Sequence, residues 1–523
     1  MAARQFRSIE CADISTRSLT LLLLALAAAC GSDSNTTAAP APGVPDAPGA
    51  APTDTASPGS PGDAAPPDPA AAAGSGADAG GPSTGEGADA SVPGQGPIEP
   101  PDTTLVLDIP WDMAGIVGTG QSLAVGDPGA ARNTPQGTPR LTTQPFQNLK
   151  LSVANVTWPV DSNDPRLTLI PLVEPMGPNP NMYPSSWPRN IAGETAHSAM
   201  GNQITSLVKA AGGADYVNVH GEVGENGQCL SFLVKNATPV GLNGRAYEAT
   251  LIETRAITRL AQAAGKTYGV GAIIVTHGEC DQGNANYEQQ LHQLWADYNT
   301  DLRAITGQTQ PLLMIVSQQN SGADRSASTR GQWRIGVDFP SDAVCSGPKY
   351  QYPYSGDSIH MLADGYEQLG EKYAQVYYER VILGNDWQPL QPTSVARAGR
   401  VISVNFHVPV PPLAWQDSFQ APHQSAGTEW RAGKGFEVRA GNTNVVIDSV
   451  EIVDDSVRIS VASDLPANNV TVGYAVTGEP APMAAPFAGT FRWGQLRDSD
   501  PFVGSTTGRP QPNFAVAFEL PVP

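Results

Sequence analysis

Val270-Gly271-Ala272-Ile273-Ile274-Val275-Thr276 is an apolar run of β-branched and small residues, and the polar segment His277-Gly278-Glu279-Cys280-Asp281 follows it directly. A short, uninterrupted apolar run of this kind is typical of a strand that is buried on both faces of a parallel sheet. In open α/β sheets, ligands bind in the crevice outside the carboxyl ends of the strands. The stretch therefore predicts an α/β fold with a parallel sheet. It also predicts that the functional polar side chains lie at the carboxyl edge of that sheet.

Three other apolar runs have the same character, and each is followed by polar residues that include glycine. They are Ala114–Val117, Tyr216–Val219 and Leu312–Val316. Amphipathic stretches with helical periodicity lie between and after the runs: Thr195–Ala211, Arg245–Gly265, Asn286–Thr306 and Met361–Leu383. Because apolar runs and helical periods alternate, we expect an α/β fold, a three-layer α/β/α doubly wound parallel sheet, over residues 102–384.

The pattern changes after Asn385, where apolar residues recur at every second position. The runs with this period are Arg400–Val408, Asn444–Val453, Ser456–Val461 and Asn469–Val476. Alternation of this kind is typical of strands with one face in a core and the other in water. We therefore predict a separate C-terminal antiparallel β-sandwich domain over residues 385–523.

The N-terminus predicts export. The apolar run Leu19–Ala29 stops at Cys30, and its 11 residues are too few to span a bilayer. A bacterial secretion signal combines basic residues, a short apolar run and small residues before the cleavage site. Residues 1–29 have all three features, so we predict a secretion signal there. A Cys directly after three alanines also resembles a lipobox, whose Cys is lipidated and becomes the first residue of the mature protein. We expect anchoring to the bacterial cell envelope, at the outer membrane or cell surface, through Cys30; secretion without a lipid is the alternative.

Residues 30–101 form a predicted disordered linker. Of the 70 residues from 31 to 100, 51 are Gly, Ala, Pro or Ser and none is aromatic, so the segment cannot bury enough apolar surface to fold. It carries nine acidic and no basic residues, and the net charge of the whole chain is −20. Residues 101–523 retain a net charge of −12, which argues against nucleic acid as a partner.

Two segments offer a nucleophile and a base. Gly120-Gln121-Ser122 follows the first predicted strand, and glycines around a serine let the backbone turn sharply and expose the hydroxyl. Ala124 stands where the Gly-x-Ser-x-Gly elbow of α/β-hydrolases has its second glycine, so that motif is absent. Asp357 precedes His360 by three residues, a spacing at which the carboxylate can bind one ring nitrogen and leave the other free as a base.

Two further loops complete the candidate site segments. In Asn226-Gly227-Gln228 the glycine N–H offers a donor for an oxyanion, with a plain turn as the alternative. The loop at 277–281 holds four residues of metal-ligand type, but no second His/Cys cluster at ligand spacing completes a coordination shell. We therefore predict no metal and no other cofactor. His220 also falls near the predicted site, and its role stays open.

In combination the four segments resemble those of the SGNH (GDSL-like) hydrolases, and within them the sialate O-acetylesterase-like and carbohydrate acetylesterase branch. The likeness covers roughly residues 110–384. The resemblance implies that Ser122 is the nucleophile, His360 the base and Asp357 the residue that orients the base. It also implies an oxyanion hole made of the N–H groups of Ser122 and Gly227. The loops around the site then contribute Gln121, Gln228, Glu279 and Asp281.

Two positions depart from the pattern of that branch. His277 replaces a glutamine, and Cys280 stands where more distant members carry an asparagine that donates to the oxyanion. A thiol is a poor donor, so the third oxyanion donor is either His277 or a backbone N–H. Cys229 and Cys280 both lie beside predicted site loops, and an exported protein can join such cysteines in a disulfide. Cys345 is then free, or is the true partner of one of them.

The resemblance implies an exported serine esterase that removes acetyl or other short acyl groups from carbohydrates through a Ser-His-Asp triad. A lipase or polyester hydrolase with the same triad is one alternative. Another is a non-catalytic, surface glycan-binding lipoprotein whose C-terminal domain presents Trp415, Trp430 and Trp493 to sugars, although a Trp in a β-sandwich is more often a core residue. The expected partners are an acetylated carbohydrate and, through Cys30, the membrane.

Overall fold

A sheet of seven strands forms the centre of the α/β part of the protein. The computed structural model describes residues 108–153, 160–177, 193–237, 245–322, 324–479 and 492–523. The strands are β1 (Met113–Gly120), β2 (Leu149–Ser152), β3 (Thr168–Pro171), β4 (Val217–Glu222), β5 (Tyr268–Thr276), β6 (Leu313–Gln318) and β7 (Ala343–Pro348). Their order is β3-β2-β4-β1-β5-β6-β7, in which β2 and β3 pair antiparallel and the other neighbours parallel. The loops after β1, β4 and β5 therefore meet at one edge.

Helices cover both faces of this sheet. They are α1 (Ala196–Ala210), α2 (Leu230–Leu233), α3 (Arg245–Ala263), α4 (Tyr287–Thr306), α5 (Ala327–Asp338) and α6 (Ala363–Tyr377). α1 and α6 share a hydrophobic core with Ile116 and Ile274, whereas α3, α4 and α5 pack with Val117 and Val275 on the opposite face. Successive strand residues thus enter two different cores, which explains why the strands read as continuous apolar runs.

The C-terminal part is rich in antiparallel strands. They are β8 (Gln391–Ala398), β9 (Val401–His407), β10 (Ala414–Trp415), β11 (Phe436–Ala440), β12 (Thr443–Asn444), β13 (Ile447–Val453), β14 (Ser456–Val461), β15 (Val470–Tyr474), β16 (Leu496–Arg497) and β17 (Phe518–Val522). Two four-stranded sheets, β12-β11-β15-β17 and β13-β14-β9-β8, share one core, and β10 pairs with β16. The rings of Phe406 in β9 and Phe436 in β11 lie 6.4 Å apart in that core.

The β-rich part packs directly against the α/β part. Trp333 of α5 donates its indole N–H to Oε1 of Gln391 at 2.8 Å, and the Tyr350 hydroxyl donates to the carbonyl of Ala515 at 2.8 Å. The described residues of both parts belong to one compact unit. The two parts are therefore in direct contact, in addition to being consecutive segments of one chain.

The sequence patterns did not predict β2, β3, β7, α2 and α5 in the α/β part, or β8, β10, β11, β12, β16 and β17 in the β-rich part. β2 contains Lys150, whose buried ammonium is satisfied by the carbonyls of Val173 and Pro175 at 2.5 and 2.8 Å. α5 contains Gly331 and Gly336, which lower helix propensity, so packing rather than local preference maintains it. The last predicted helix begins at Ala363 rather than at Met361, and it ends in a π-helical turn.

The predicted secretion signal, the lipidation position Cys30 and the linker at 30–101 lie outside the described residues. Among the residues that are described, no helix combines the length and the apolar character needed to cross a membrane.

Candidate active site

Ser122 lies in the turn that directly follows β1, at the carboxyl edge of the sheet. Its carbonyl accepts a hydrogen bond from the N–H of Asp127 at 2.9 Å, which closes the turn. Within the described residues, neither the N–H nor the hydroxyl of Ser122 has a hydrogen-bond partner. The turn therefore holds a serine whose two donor groups are not used by the fold, although only 6% of the residue is exposed.

Gln121 connects this turn to the loop after β5. Its N–H donates to the carbonyl of Thr276 at 3.3 Å, and its Oε1 accepts the N–H of Cys280 at 3.2 Å. Cys280 also forms a disulfide with Cys229, across a Cα–Cα distance of 5.0 Å, while Cys345 is buried as a free thiol. The loops after β1, β4 and β5 are thus joined by hydrogen bonds and by one covalent bond.

Gly227 and His277 lie in two of these loops. Gly227 is exposed, and its N–H has no partner among the residues described. Nε2 of His277 lies 3.0 Å from the carbonyl oxygen of Gln228, and Nδ1 lies 3.0 Å from the Tyr287 hydroxyl. Burial lowers the pKa of His277, so the ring is neutral, with Nε2–H donating to the carbonyl and Nδ1 accepting from the hydroxyl. Both ring nitrogens are thus occupied: Nε2 holds the loop of Gly227, and Nδ1 contacts the first residue of α4.

The loop before α6 brings Asp357 and His360 together. An isolated antiparallel bridge between Tyr354 and Met361 closes it into a tight hairpin. Oδ2 of Asp357 lies 2.8 Å from Nδ1 of His360, and Oδ1 accepts from the Ser355 hydroxyl at 2.7 Å and from the N–H of His360 at 2.9 Å. Within the described part of the chain, Nε2 of His360 has no hydrogen-bond partner.

The charges around His360 favour its protonated form. Burial opposes that form, but the hydrogen bond and the charge of Asp357, together with the charges of Asp127 and Glu279, raise the pKa of His360 above its ordinary value. Burial also opposes ionisation of Asp357, but hydrogen bonds from His360, from two backbone N–H groups and from a serine hydroxyl hold the pKa of Asp357 well below its usual range. The imidazole is therefore oriented by a permanent carboxylate and can accept a proton readily.

Asp127 is a residue of this region that the sequence analysis missed. Its carboxylate accepts from the N–H of Gly129 at 2.8 Å, from the Asn226 amide at 2.9 Å and from Arg132 at 2.8 Å. Burial works against ionisation, but these hydrogen bonds and the nearby charges of His360 and Arg132 lower the pKa of Asp127. It belongs to no short motif, and its only signal in the sequence is its position in the turn after β1.

The acidic residues of the loop after β5 have structural partners. Oε1 of Glu279 lies 3.4 Å from Nζ of Lys349, which is completely buried. Oδ2 of Asp281 accepts the N–H of Leu230 at 2.8 Å, and Oδ1 accepts the side-chain amide of Asn284 at 2.9 Å. These contacts fix the loop that carries His277 and Cys280, while the side chain of Gln228 is half-buried beside it.

His220 lies in the interior rather than at the edge of the sheet. It is fully buried, and its Nδ1 lies 3.0 Å from Nδ1 of His197, whose Nε2 lies 2.9 Å from Glu222. Burial and the neighbouring His197 keep the pKa of His220 well below its ordinary value. In the described ranges of the chain, no three His, Cys, Asp or Glu side chains are placed to hold a metal ion.

The three tryptophans of the alternative sugar platform have different environments. Trp430 and Trp493 are 1% and 2% exposed, and their indole N–H groups donate to the carbonyls of Val438 and Gln420. Trp415 is half-buried, with Nζ of Lys434 5.0 Å from its ring. Because two of the three are core residues, they do not form an exposed aromatic surface together.

The site components converge at the carboxyl edge of β1, β4 and β5. The segment that follows Ser122 reaches the hairpin, because the N–H of Ala130 donates to Oδ2 of Asp357 at 3.1 Å. The region thus supplies a serine hydroxyl, an imidazole oriented by a carboxylate, and two N–H groups that no described residue accepts from. These are the parts needed for nucleophilic acyl transfer with stabilisation of an oxyanion.

No protein-family model matches the chain, and neither does any curated protein. Among solved structures, a carbohydrate acetylesterase from Xanthomonas citri is 12% identical, with a TM-score of 0.44 over 78% of this chain and 80% of that chain. An Arabidopsis thaliana protein is 17% identical, with a TM-score of 0.36 over 52% of this chain and 100% of that one. NanS is 12% identical, with a TM-score of 0.25 over 44% of this chain and 72% of the other. These similarities are low and do not identify an activity for this chain.

Proposed function

We propose that this protein is a serine esterase that removes acetyl groups from carbohydrates. The observation that carries the proposal is the 2.8 Å contact between Asp357 and Nδ1 of His360, which leaves Nε2 available as a base. Ser122 is the nucleophile, because it lies in the turn after β1 with an unused hydroxyl, and the segment that follows it contacts Asp357. The carbohydrate acetylesterase pattern of the four site segments supports the substrate class.

In the proposed reaction, Nε2 of His360 takes the proton of the Ser122 hydroxyl as Oγ attacks the carbonyl carbon of the ester. The carbonyl oxygen becomes negative and accepts hydrogen bonds from the N–H groups of Ser122 and Gly227. The protonated His360 then gives its proton to the leaving sugar oxygen, and Asp357 stabilises the imidazolium in the meantime. Water attacks the acyl-enzyme by the same route and restores Ser122.

His277 takes a positioning role in this proposal and is not the third oxyanion donor. Both of its ring nitrogens have partners, one of which is the carbonyl of Gln228, adjacent to Gly227. Through that carbonyl it holds the loop whose N–H would bind the oxyanion. A backbone N–H is therefore the better candidate for a third donor.

The decisive experiment is hydrolysis of 4-nitrophenyl acetate, 4-nitrophenyl octanoate and acetylated xylan by the full chain and by its Ser122→Ala variant. Ser449→Ala is the matched control, since Ser449 is exposed on β13 in the C-terminal part. We expect release of acetate that disappears in Ser122→Ala and persists in Ser449→Ala. Preference for the octanoate would favour a lipase, and equal activity of wild type and Ser122→Ala would remove Ser122 from the mechanism.

We also propose that the protein is exported and anchored by a lipid on Cys30, with residues 1–29 as the signal and 30–101 as a linker. The composition of those segments supports this assignment. Expression in a bacterial host with an alkyne-labelled fatty acid tests it. We expect label in the wild type and none in Cys30→Ser, while label that survives this substitution would reject Cys30 as the acceptor.

A further inference from the structure

A cleft of about 1120 Å³ lies between the α/β part and the β-rich part, next to the hairpin that carries His360. Pro353 and Leu362 line it, and these two residues are joined by an N–H to carbonyl hydrogen bond of 3.1 Å at the base of that hairpin. Gln416 and Phe419 line it from the β-rich part. Its volume exceeds the range of about 300–1000 Å³ typical of small-molecule pockets, so it has room for more than an acyl group.

Five side-chain amides line the cleft, beside several charged groups. The glutamines are Gln136, Gln351, Gln368, Gln416 and Gln511. Gln511 is 5% exposed; its Nε2 donates to Glu371 at 2.5 Å, and its buried Oε1 has no partner within the described residues. The carboxylate of Glu371 fixes this orientation, because a reversed amide would place oxygen against oxygen. Gln136, by contrast, is exposed, so its amide can both donate to and accept from a hydroxyl that enters the cleft.

The charged side chains of the lining have hydrogen-bond or ion-pair partners inside the protein, and those of Arg497 are neutral oxygens of Gln416 and Asp498. Nε of Arg140 lies 3.1 Å from Glu367, and Nη2 of Arg509 lies 2.8 Å from Asp364. Lys372 donates to two oxygens of the β-rich part at 2.9 Å, and burial lowers the pKa of Lys372 to about 8. An ionic ligand would have to compete with these partners, so the lining favours a neutral one.

Aromatic rings, together with several prolines and Leu362, form the apolar part of the lining. Phe419 and Phe514 are stacked, with centroids 5.2 Å apart and planes inclined by 3°, and Tyr352 lines the cleft with them. Amides beside aromatic rings match a sugar, which has hydroxyl groups at its edge and C–H groups on its faces. We propose that the cleft binds a neutral saccharide chain of several units, as the continuation of the esterified sugar at Ser122. This inference rests on the proposed function, because it takes the bound saccharide chain to carry the acyl group that is removed at Ser122.

The test measures binding without any ester. The full chain is titrated calorimetrically with unacetylated oligosaccharides of xylose, glucose, mannose or N-acetylglucosamine, each from disaccharide to hexasaccharide. For at least one series we expect the Kd to fall by about tenfold or more with length. Gln136→Ala and Gln416→Ala, on opposite walls of the cleft, should each weaken hexasaccharide binding by about fivefold. Gln289→Ala on the exposed side of α4 is the matched control and should bind like the wild type.

Three results would overturn the proposal: no binding in any series, equal binding by the wild type and both cleft variants, or tighter binding of an acidic oligogalacturonate than of every neutral chain. Because the ligands carry no ester, a protein without esterase activity can still bind them. Conversely, an active esterase without chain-length dependence would leave the proposed function intact and reject the cleft as a saccharide site.

Discussion

Oδ2 of Asp357 accepts two hydrogen bonds, one from Nδ1 of His360 at 2.8 Å and one from the backbone N–H of Ala130 at 3.1 Å. Ala130 belongs to the segment that follows the Ser122 turn, whereas Asp357 lies more than 200 positions later in the chain. This contact fixes the hairpin of His360 against the segment that follows Ser122. The geometry of the candidate site therefore depends on how closely that segment approaches the carboxylate.

Gly129→Ala tests this close approach. Gly129 has a positive φ of 51°, and a Cβ at this position would overlap Oδ2 of Asp357 and crowd Nδ1 of His360. We expect kcat for 4-nitrophenyl acetate to fall by about 10²-fold, since displacement of a catalytic group by about 1 Å has that effect. Gly283→Ala is the control, because a Cβ at Gly283 would meet no atom within 4 Å. Equal activity of the two variants, with similar thermal unfolding, would contradict this account of the site.

Asp357→Asn tests the orientation and the pKa of His360. His360 acts as a base only when neutral, and its pKa is raised, so the activity of the wild type should fall as the pH drops through that raised value. Without the carboxylate the pKa of His360 falls, so the acidic limb of the pH–rate profile should move to lower pH. The maximal rate should fall by about 10⁴-fold, because the ring loses its orienting acceptor.

The control for this substitution is Asp342→Asn. Asp342 makes a similar 2.9 Å contact with His292, but it directly precedes β7 and so lies at the opposite edge of the sheet. We expect its pH–rate profile to match that of the wild type. If the acidic limb of the Asp357→Asn profile lies at the same pH as in the wild type, a group other than His360 controls that limb.

The disulfide between Cys229 and Cys280 should stabilise both the fold and the loop of Gly227. It closes a loop with a sequence separation of 51 residues, for which chain entropy predicts a loss of about 4 kcal/mol when the bond is removed. The double variant Cys229→Ser/Cys280→Ser should unfold at lower guanidinium concentration. Its kcat should fall by about tenfold, because one oxyanion donor is held less firmly. Cys345→Ala, which removes a buried free thiol, should keep both properties closer to those of the wild type.

Glu194 should make the stability of the protein depend on pH. It is 1% exposed; burial, and next the charge of Glu174, raise the pKa of Glu194 to about 9. The folded state therefore retains a proton that the unfolded chain releases near pH 4.5. The free energy of unfolding should fall as the pH rises from about 4.5 to about 9, by at most ~1.4 kcal/mol per pH unit. Glu194→Gln should flatten this dependence, measured by urea unfolding at several pH values.

The matched control is Glu451→Gln, at an exposed position of β13. We expect it to unfold with the same pH dependence as the wild type. If Glu194→Gln also keeps the slope of the wild type, the proton is not held by Glu194.

Much of the α/β part follows from local patterns. The apolar runs at β1, β5 and β6 are uninterrupted because both faces of these strands are buried, and burial of that kind is visible in the sequence. The short strand β2 was missed because the lysine it contains, Lys150, is buried against carbonyl oxygens from a distant loop. α5 was missed because its glycines weaken the helical pattern.

The contact between Asp357 and His360 could also be predicted from the sequence, because the two residues are only three positions apart and local chain geometry brings the carboxylate to the ring. The contacts of Asp127 with Asn226 and of Ala130 with Asp357 were not predictable from the sequence, because in each case the partner is distant in the chain. The pairing of Cys229 with Cys280 rather than with Cys345 required the order of the strands, which places the loops after β4 and β5 on either side of β1.

The sequence by itself determined the positions of the main strands, the loops that follow them and the local geometry of the Asp-His pair, because each of these depends on residues that are neighbours in the chain. The tertiary structure alone decided which loops meet, which cysteines pair, that both ring nitrogens of His277 are occupied, and that a cleft opens between the two parts. Those features arise from sheet order and packing between residues far apart in sequence, and such contacts leave no local pattern for the sequence to display.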